Sequence, residues 1–177
     1  MGDVAAGGGS RGVHIVRHPA GLVGGYGAAT RRKRGAKPLL KEVIQPYCAP
    51  KRIRGRRSLS AIQLLSQPLI QSRENSVSWE TWFGQRGIRF DRSEAHPLQL
   101  DPSYVAIETA VKGVGVILES SLLTEEHVRA GRLVAPLREA RPPSTSYWLL
   151  PLRKGAPPAM VKAHKWLLEQ ANLSSSA

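Results

Sequence analysis

Three glycines near the amino terminus match the letters of a cofactor motif. Gly7, Gly9 and Gly12 have the Gly-x-Gly-x-x-Gly spacing of the dinucleotide fingerprint. That motif binds a pyrophosphate where a strand delivers the glycines to the start of a helix. Here only a few residues precede Gly7, and no helical period follows Gly12. We therefore interpret this stretch as glycine-rich chain and expect no cofactor.

The histidines and the single cysteine are the residues that could supply metal ligands or a nucleophile. His14 and His18 are four apart, but no acid lies between them and Pro19 follows at once, so a helical metal site is not expected. Cys48 stands alone, which excludes a disulfide framework and a Cys-rich zinc site. The remaining histidines are scattered: His96, His127 and His164. Because no acid, base and nucleophile come together, we expect no catalytic residues and no metal, and we do not expect an enzyme.

Basic residues concentrate at one end of the chain. The net charge is +13 overall, but residues 1–57 hold 13 Lys/Arg against two acids (net +11), whereas residues 58–177 hold 13 against 11 (net +2). Such a cluster can contact phosphates by counterion release. It lacks both the interleaved aromatics of a single-strand binder and a helix-turn-helix pattern, so we expect only weak, nonspecific attraction to nucleic acid. The densest block is Arg31, Arg32, Lys33 and Arg34.

The length and composition of the chain are those of one ordinary domain. The chain has 177 residues, of which 41% are hydrophobic and 22% charged, values typical of a globular protein. No run reaches the roughly 18–20 apolar residues of a membrane span, and the first residues do not form a signal peptide. We therefore expect a cytoplasmic protein without membrane contact.

Hydrophobic patterning predicts an α/β fold from residue 39 onward, after a glycine-rich stretch to about residue 36 that we expect to be mostly unstructured. A short helix is predicted over 58–65 and a strand over 69–72. Ser78 is predicted to cap a helix that carries Trp79, Trp82 and Phe83 on one face and stops at Gly87.

The second half of the chain continues the alternation of helices and strands. Asp101 is predicted to cap a helix that has Pro102 at its first position, and residues 114–118 read as a buried strand. Residues 124–126 are predicted to start the next helix, which ends near Gly131. Residues 132–137 and 146–152 are predicted to be extended. A final helix should run from Pro157 to about Ala171.

The order and spacing of several segments resemble the effector-binding domain of LysR-type transcriptional regulators, in particular the branch similar to the glycine-cleavage activator. The resemblance covers roughly residues 38–172. The segments that carry it are 42–50, 69–72, 79–88, 105–118, 131–134, 146–150 and 166–168.

This resemblance implies a periplasmic-binding-protein-like (type 2) fold with the second lobe and the final helix of an incomplete first lobe. We expect a disordered Gly/Arg-rich segment over 1–37, the second lobe over 38–148, a strand end and helix returning to the first lobe over 149–172, and a tail over 173–177. Residues 1–36 do not resemble the family and no helix-turn-helix domain precedes the match, so we expect an N-terminally truncated regulator.

The resemblance also implies a function. A small effector, such as a carboxylate or an amino acid, would lie in the cleft between the lobes and change how a homo-oligomer holds DNA. By matching position, the expected effector-binding residues are Tyr47, Cys48, Ala49, Asp101, Ser103, Tyr104, Thr145 and Tyr147. Two alternatives stay open: a small basic nucleic-acid-associated protein using residues 11–57 as a flexible arm, and an enzyme on the same scaffold.

Overall fold

The computed structural model describes residues 15–17, 23–26, 34–53, 55–73, 75, 77–138 and 144–174. It divides into two units. The central unit is Val43–Pro142, and the terminal unit combines Met1–Glu42 with Pro143–Ala177. The central unit lies within the predicted second-lobe range of 38–148, but residues 38–42 belong to the terminal unit because they form a strand of its sheet.

The central unit is built on a four-stranded mixed sheet. Its strands are β4 (Ile44–Cys48), β5 (Leu69–Ser72), β6 (Leu98–Leu100) and β7 (Val116–Ser120), in the order β4-β7-β5-β6. β5 runs parallel to both β6 and β7, whereas β4 runs antiparallel to β7. Both middle strands, β5 and β7, are buried along their whole length, which is typical of parallel strands covered on two faces.

Helices cover both faces of this sheet. The α-helices are α1 (Trp79–Gly84), α2 (Arg92–Ala95), α3 (Ser103–Val111) and α4 (Ser121–Arg129), with short 3-10 turns at Pro50–Arg52 and Ile62–Leu64. Alternation along β7 divides the core: Val116 and Leu118 pack with the aromatic side chains of α1, whereas Ile117 packs with α3. This alternation follows from the two-residue period of a strand.

The predicted cap and buried face of α1 are confirmed, whereas the helix ends at Gly84, three residues before the predicted stop at Gly87. The Ser78 hydroxyl accepts a hydrogen bond from the Thr81 amide (3.1 Å), as an N-cap should. Trp79, Trp82 and Phe83 are almost fully buried. The indole Nε1 of Trp79 donates to the carbonyl of Ile70 (2.9 Å), which fastens the helix to β5.

Two predicted helix starts are wrong. Pro102 is itself the N-cap of α3, in an extended conformation, and no side chain caps that end; Asp101 therefore does not cap the helix, and Pro102 is not its first residue. α4 begins at Ser121 after the cap Ser120, and Thr124 is a buried residue inside the helix. The Thr124 hydroxyl donates to the carbonyl of Ser120 (2.8 Å), so this side chain bonds back along the helix.

Three further predictions need smaller corrections. The helix predicted over 58–65 is reduced to the 3-10 turn Ile62–Leu64, because Leu59 forms a bridge with Leu137 instead. The strand predicted over 114–118 is displaced to Val116–Ser120. The extended segment 132–137 makes isolated bridges rather than a strand.

The terminal unit has its own antiparallel sheet. Its strands are β1 (Ile15–Arg17), β2 (Val23–Tyr26), β3 (Lys37–Glu42) and β8 (Ser144–Leu149), in the order β1-β2-β8-β3. The helix α5 (Pro158–Ser174) packs against β3. The strand predicted over 146–152 is observed as β8, which begins and ends earlier, at Ser144–Leu149. The predicted final helix is confirmed by α5. The stretch to about residue 36, expected to be mostly unstructured, contains the short strands β1 and β2; β2 pairs with β8, and β1 pairs with β2.

One face of α5 is partly buried. Ala171 is buried, and Met160, Ala163 and Leu167 are half-buried. Among the described residues, no helix is long and apolar enough to cross a membrane.

Candidate functional site

The carboxyl ends of the parallel strands form one edge of the central sheet, and helices begin there. Ser72 ends β5, Leu100 ends β6 shortly before α3, and Ser120 ends β7 and caps α4. In open α/β sheets, ligands bind outside this edge because helix N-termini present free amide groups and a partial positive charge to it. We call this the carboxyl edge of the central sheet.

Ser72 and Ser103 meet at the carboxyl edge. Their hydroxyl oxygens are 2.7 Å apart, and either can be the donor. Ser72 is almost fully buried at the end of β5, whereas Ser103 is half-buried at the first position of α3. The pair is a fixed set of hydroxyl donors and acceptors beside a helix N-terminus.

The N-terminus of α3 differs from those of α1 and α4. Serines cap α1 and α4, whereas the N-cap of α3 is Pro102, with no side-chain hydrogen bond to the helix. The first amide groups of α3 are therefore not satisfied by a cap, and they favour a bound anion. Asp101, just outside the helix, and Tyr104, in its first turn, are exposed.

A second group of polar side chains lies on β4 and β7. Gln45 is paired with Glu119 across the sheet, one residue from the carboxyl edge. The side-chain amide of Gln45 donates to the hydroxyl of Tyr47 (2.9 Å), so the phenol points toward this edge although its ring is buried in the α3 core. Oε1 of Glu119 accepts from the Ser120 amide (2.8 Å).

Cys48 and Ala49 lie away from this group. Cys48 pairs with Val116, the first residue of β7, so it is at the amino end of that strand and not at the carboxyl edge. Both residues are buried, and Cys48 packs in the core beside α1. Burial raises the pKa of the Cys48 thiol to about 11, although nearby Arg52 opposes the shift. Cys48 is therefore a structural thiol that stays protonated at neutral pH.

The remaining predicted residues belong to the terminal unit. Thr145 and Tyr147 are on β8 of the terminal unit, opposite Lys41 and Leu40. The predicted nucleic-acid residues Arg31, Arg32 and Lys33 lie outside the described residues, and Arg34 is exposed in a turn.

Two residues of this group, Ser72 and Gln45, were not predicted as site residues. The sequence predicts Ser72 only as the end of a strand and includes Gln45 only in segment 42–50 of the family resemblance. The sequence signal for Ser72 is a hydroxyl placed where a parallel strand ends, which is informative only when the pairing of β5 with β6 is known.

The chemistry available at the carboxyl edge is that of binding. Hydroxyls, an amide side chain and helix amides can hold a small polar molecule. Within the described part of the chain, no group of three or more His, Cys, Asp or Glu residues is placed to hold a metal ion, and no base is bonded to Ser72 or Ser103 to activate either as a nucleophile.

The sequence matches a family model and several curated proteins. Residues 20–172 match the model of the LysR substrate binding domain. The chain is 32% identical over 143 residues to the HTH-type transcriptional regulator PerR of Escherichia coli K12, covering 77% of this chain and 46% of that protein. It is 23% identical over 134 residues to the glycine cleavage system transcriptional activator of the same strain, covering 75% and 44%.

The fold matches solved effector domains. The effector domain of the transcriptional regulator AmpR of Pseudomonas aeruginosa superposes with a TM-score of 0.65 and 26% identity, covering 88% of this chain and 73% of that one. The chain spans less than half the length of the two curated relatives named above. The family match begins at residue 20, so the expectation that residues 1–36 do not resemble the family is wrong for residues 20–36.

Proposed function

Because the chain belongs to the LysR substrate-binding domain family, we propose that it senses a small molecule and contributes to the oligomer of a LysR-type transcriptional regulator. Its relatives are named as transcriptional regulators, so this is a binding module and not an enzyme. We assign DNA recognition to a helix-turn-helix domain. No segment of this sequence has the helix-turn-helix pattern. The cytoplasm is where such a regulator meets DNA.

The pair of Ser72 and Ser103 carries the proposal for where the effector binds. The two hydroxyls, 2.7 Å apart, stand beside the uncapped N-terminus of α3. Oriented hydroxyls and helix amides recognise a carboxylate by charge-assisted hydrogen bonds. We therefore place the carboxylate of the effector against Ser103 and the first turn of α3, with the exposed Tyr104 at the rim.

Asp101 narrows the class of effector. Its exposed carboxylate is two residues before Ser103, and an acid there repels a ligand that is purely anionic. An amino acid can bind both Asp101 and the N-terminus of α3, because its ammonium can pair with Asp101 while its carboxylate faces the helix N-terminus. A small amino acid is thus the effector class that fits these residues best.

The other residues expected to bind the effector have different roles in this proposal. The Tyr47 hydroxyl, bonded to Gln45, can add a hydrogen bond near the edge. The burial of Cys48 and Ala49 leaves them a packing role. Thr145 and Tyr147 stay predictions from the family resemblance.

The test is a thermal-shift screen of the purified chain against amino acids and small organic acids. A ligand that binds only the folded state at 100 times its dissociation constant stabilises the protein by about 2.7 kcal/mol. For a chain of this size, that corresponds to a rise in Tm of about 5–10 °C. We expect a selective rise with one or a few amino acids. A cooperative melt that no compound on the panel shifts would contradict the proposed effector class.

A further inference from the structure

A concave surface lies at the end of the central sheet opposite the carboxyl edge. It is a cleft of about 630 Å³ whose basic lining residues are Lys51, Arg52 and Arg56, and it also includes Gln67, Pro68 and Gly113. Pro68 precedes β5 and Gly113 precedes β7, so the cleft is at the amino ends of the strands whose carboxyl ends carry Ser72 and Ser120. We call it the basic cleft.

The sequence around the basic cleft has an unbalanced charge. Residues 43–73 contain six Lys/Arg and no Asp or Glu. Among the described residues, none that lines the cleft is acidic. A concave surface with cations of one sign concentrates the field and attracts anions.

Two of the cations are held in place by the end of α3. Lys51 Nζ donates to the carbonyl of Lys112 (2.7 Å), and Arg52 Nε donates to the carbonyl of Gly113 (2.9 Å). Cations at a helix C-terminus interact favourably with its dipole. The helix end compensates only part of their charge, since its effective charge is about −0.5.

Gly113 allows this close approach. Its φ is +80°, and a Cβ at that position would lie 1.9 Å from Cε of Lys51. The stem of Lys51 therefore crosses directly over the glycine. After one hydrogen bond to Lys112, its ammonium still has two N–H donors.

The guanidinium of Arg56, unlike the side chains of Lys51 and Arg52, is not bonded to the end of α3. Arg56 is exposed, and none of the hydrogen bonds or ion pairs among the described residues involves its guanidinium. Its backbone amide donates to the carbonyl of Ile53 (2.9 Å). A guanidinium can bind a phosphate through two parallel hydrogen bonds.

We propose that the basic cleft binds phosphate groups, with Arg56 as the main ligand-binding side chain and Lys51 as the second. The source is either a free phosphorylated molecule or the backbone of bound DNA, and the shared chemistry is the phosphate. This site is separate from the carboxyl edge, so a regulator of this kind has a second anion-binding site on the same sheet.

The test is isothermal titration calorimetry of the full chain with pyrophosphate, for the wild type and for Arg56→Gln. Arg153→Gln is the matched control, because Arg153 is an exposed arginine of the terminal unit. We expect Arg56→Gln to weaken pyrophosphate binding about tenfold, as for loss of one charge-assisted contact, and Arg153→Gln to leave it unchanged. No pyrophosphate binding by the folded wild type, or equal affinity in Arg56→Gln, overturns the proposal.

A competition arm separates the two sources. If a short DNA duplex displaces pyrophosphate from the wild type and binds Arg56→Gln more weakly, the phosphates are those of DNA. If the duplex does not compete, the ligand is a free phosphorylated molecule. Because Arg56 does not line the carboxyl edge, Arg56→Gln should keep any thermal shift caused by amino acids, so the two proposals fail separately.

Discussion

The hydroxyls of Ser72 and Ser103 are 2.7 Å apart although 31 positions separate them in the chain. The parallel pairing of Ser72 with Leu100 brings them together, because Leu100 is followed after two residues by α3. This pairing places a buried hydroxyl beside an uncapped helix start, and the proposed effector site follows from it.

Ser78 and Asp101 should differ in their effects on stability. Ser78 caps α1 through its bond to the Thr81 amide, so Ser78→Ala should cost about 1 kcal/mol. Asp101→Ala should change the free energy of unfolding by less than about 0.5 kcal/mol, because Asp101 does not cap α3. Urea unfolding of both variants measures this. A loss from Asp101→Ala as large as that from Ser78→Ala would restore Asp101 as a cap.

The aromatic face of α1 was predictable, whereas the start of α3 was not. Trp79, Trp82 and Phe83 follow Ser78 at helical spacing, and this pattern depends only on local sequence. The Asp-Pro pair before α3 fits two arrangements, with the helix beginning at Pro102 or one residue later, and the extended backbone of Pro102 selects the second. The sequence does not predict β1 and β2, because β2 pairs with β8 more than 100 positions away and β1 pairs with β2. Glycines also interrupt their local pattern.

The site was predictable only in part for the same reason. Ser103 follows from its place at a helix start, which local sequence indicates. Ser72 requires knowledge of the β5–β6 pairing. The separation of Cys48 from Ser103 requires the antiparallel register of β4 on β7, which sends the end of β4 away from the carboxyl edge.

The Cys48 thiol should be inert in the folded protein. Its pKa of about 11, raised from 9.0 by burial, reduces the thiolate fraction about a hundredfold at pH 8. Ellman's reagent at pH 8 should therefore react with one thiol per chain in denaturant and with almost none in native buffer. Rapid reaction of the native protein would contradict the buried position of Cys48.

Trp79 should contribute more to stability than Trp166. Trp79→Phe removes the hydrogen bond to the Ile70 carbonyl and part of a buried ring, which should lower the free energy of unfolding by about 1–3 kcal/mol. Trp166 is 57% exposed on α5, so Trp166→Phe should stay within about 0.5 kcal/mol. Urea unfolding followed by circular dichroism compares them, and the reverse order would count against the packing of α1.

Gly115 should not tolerate a side chain. A Cβ there would lie 2.4 Å from the backbone carbonyl oxygen of Pro68, so Gly115→Ala should destabilise the protein by about 1–3 kcal/mol. Gly84 has open space around it in α1, and Gly84→Ala should be neutral or stabilise by up to about 1 kcal/mol. Thermal melts of the two variants give the comparison. A melt of Gly115→Ala that matches the wild type would show that β7 and Pro68 are farther apart.

The most direct measurement of the central claim is the affinity of Ser103→Ala for the amino acid that gives the largest thermal shift. Isothermal titration calorimetry should show about tenfold weaker binding than the wild type, because a hydrogen bond to a charged group is lost. Ser60→Ala, at an exposed serine of the central unit remote from β6 and α3 in the chain, should bind like the wild type. Equal affinity of Ser103→Ala and the wild type would contradict an effector site at the start of α3.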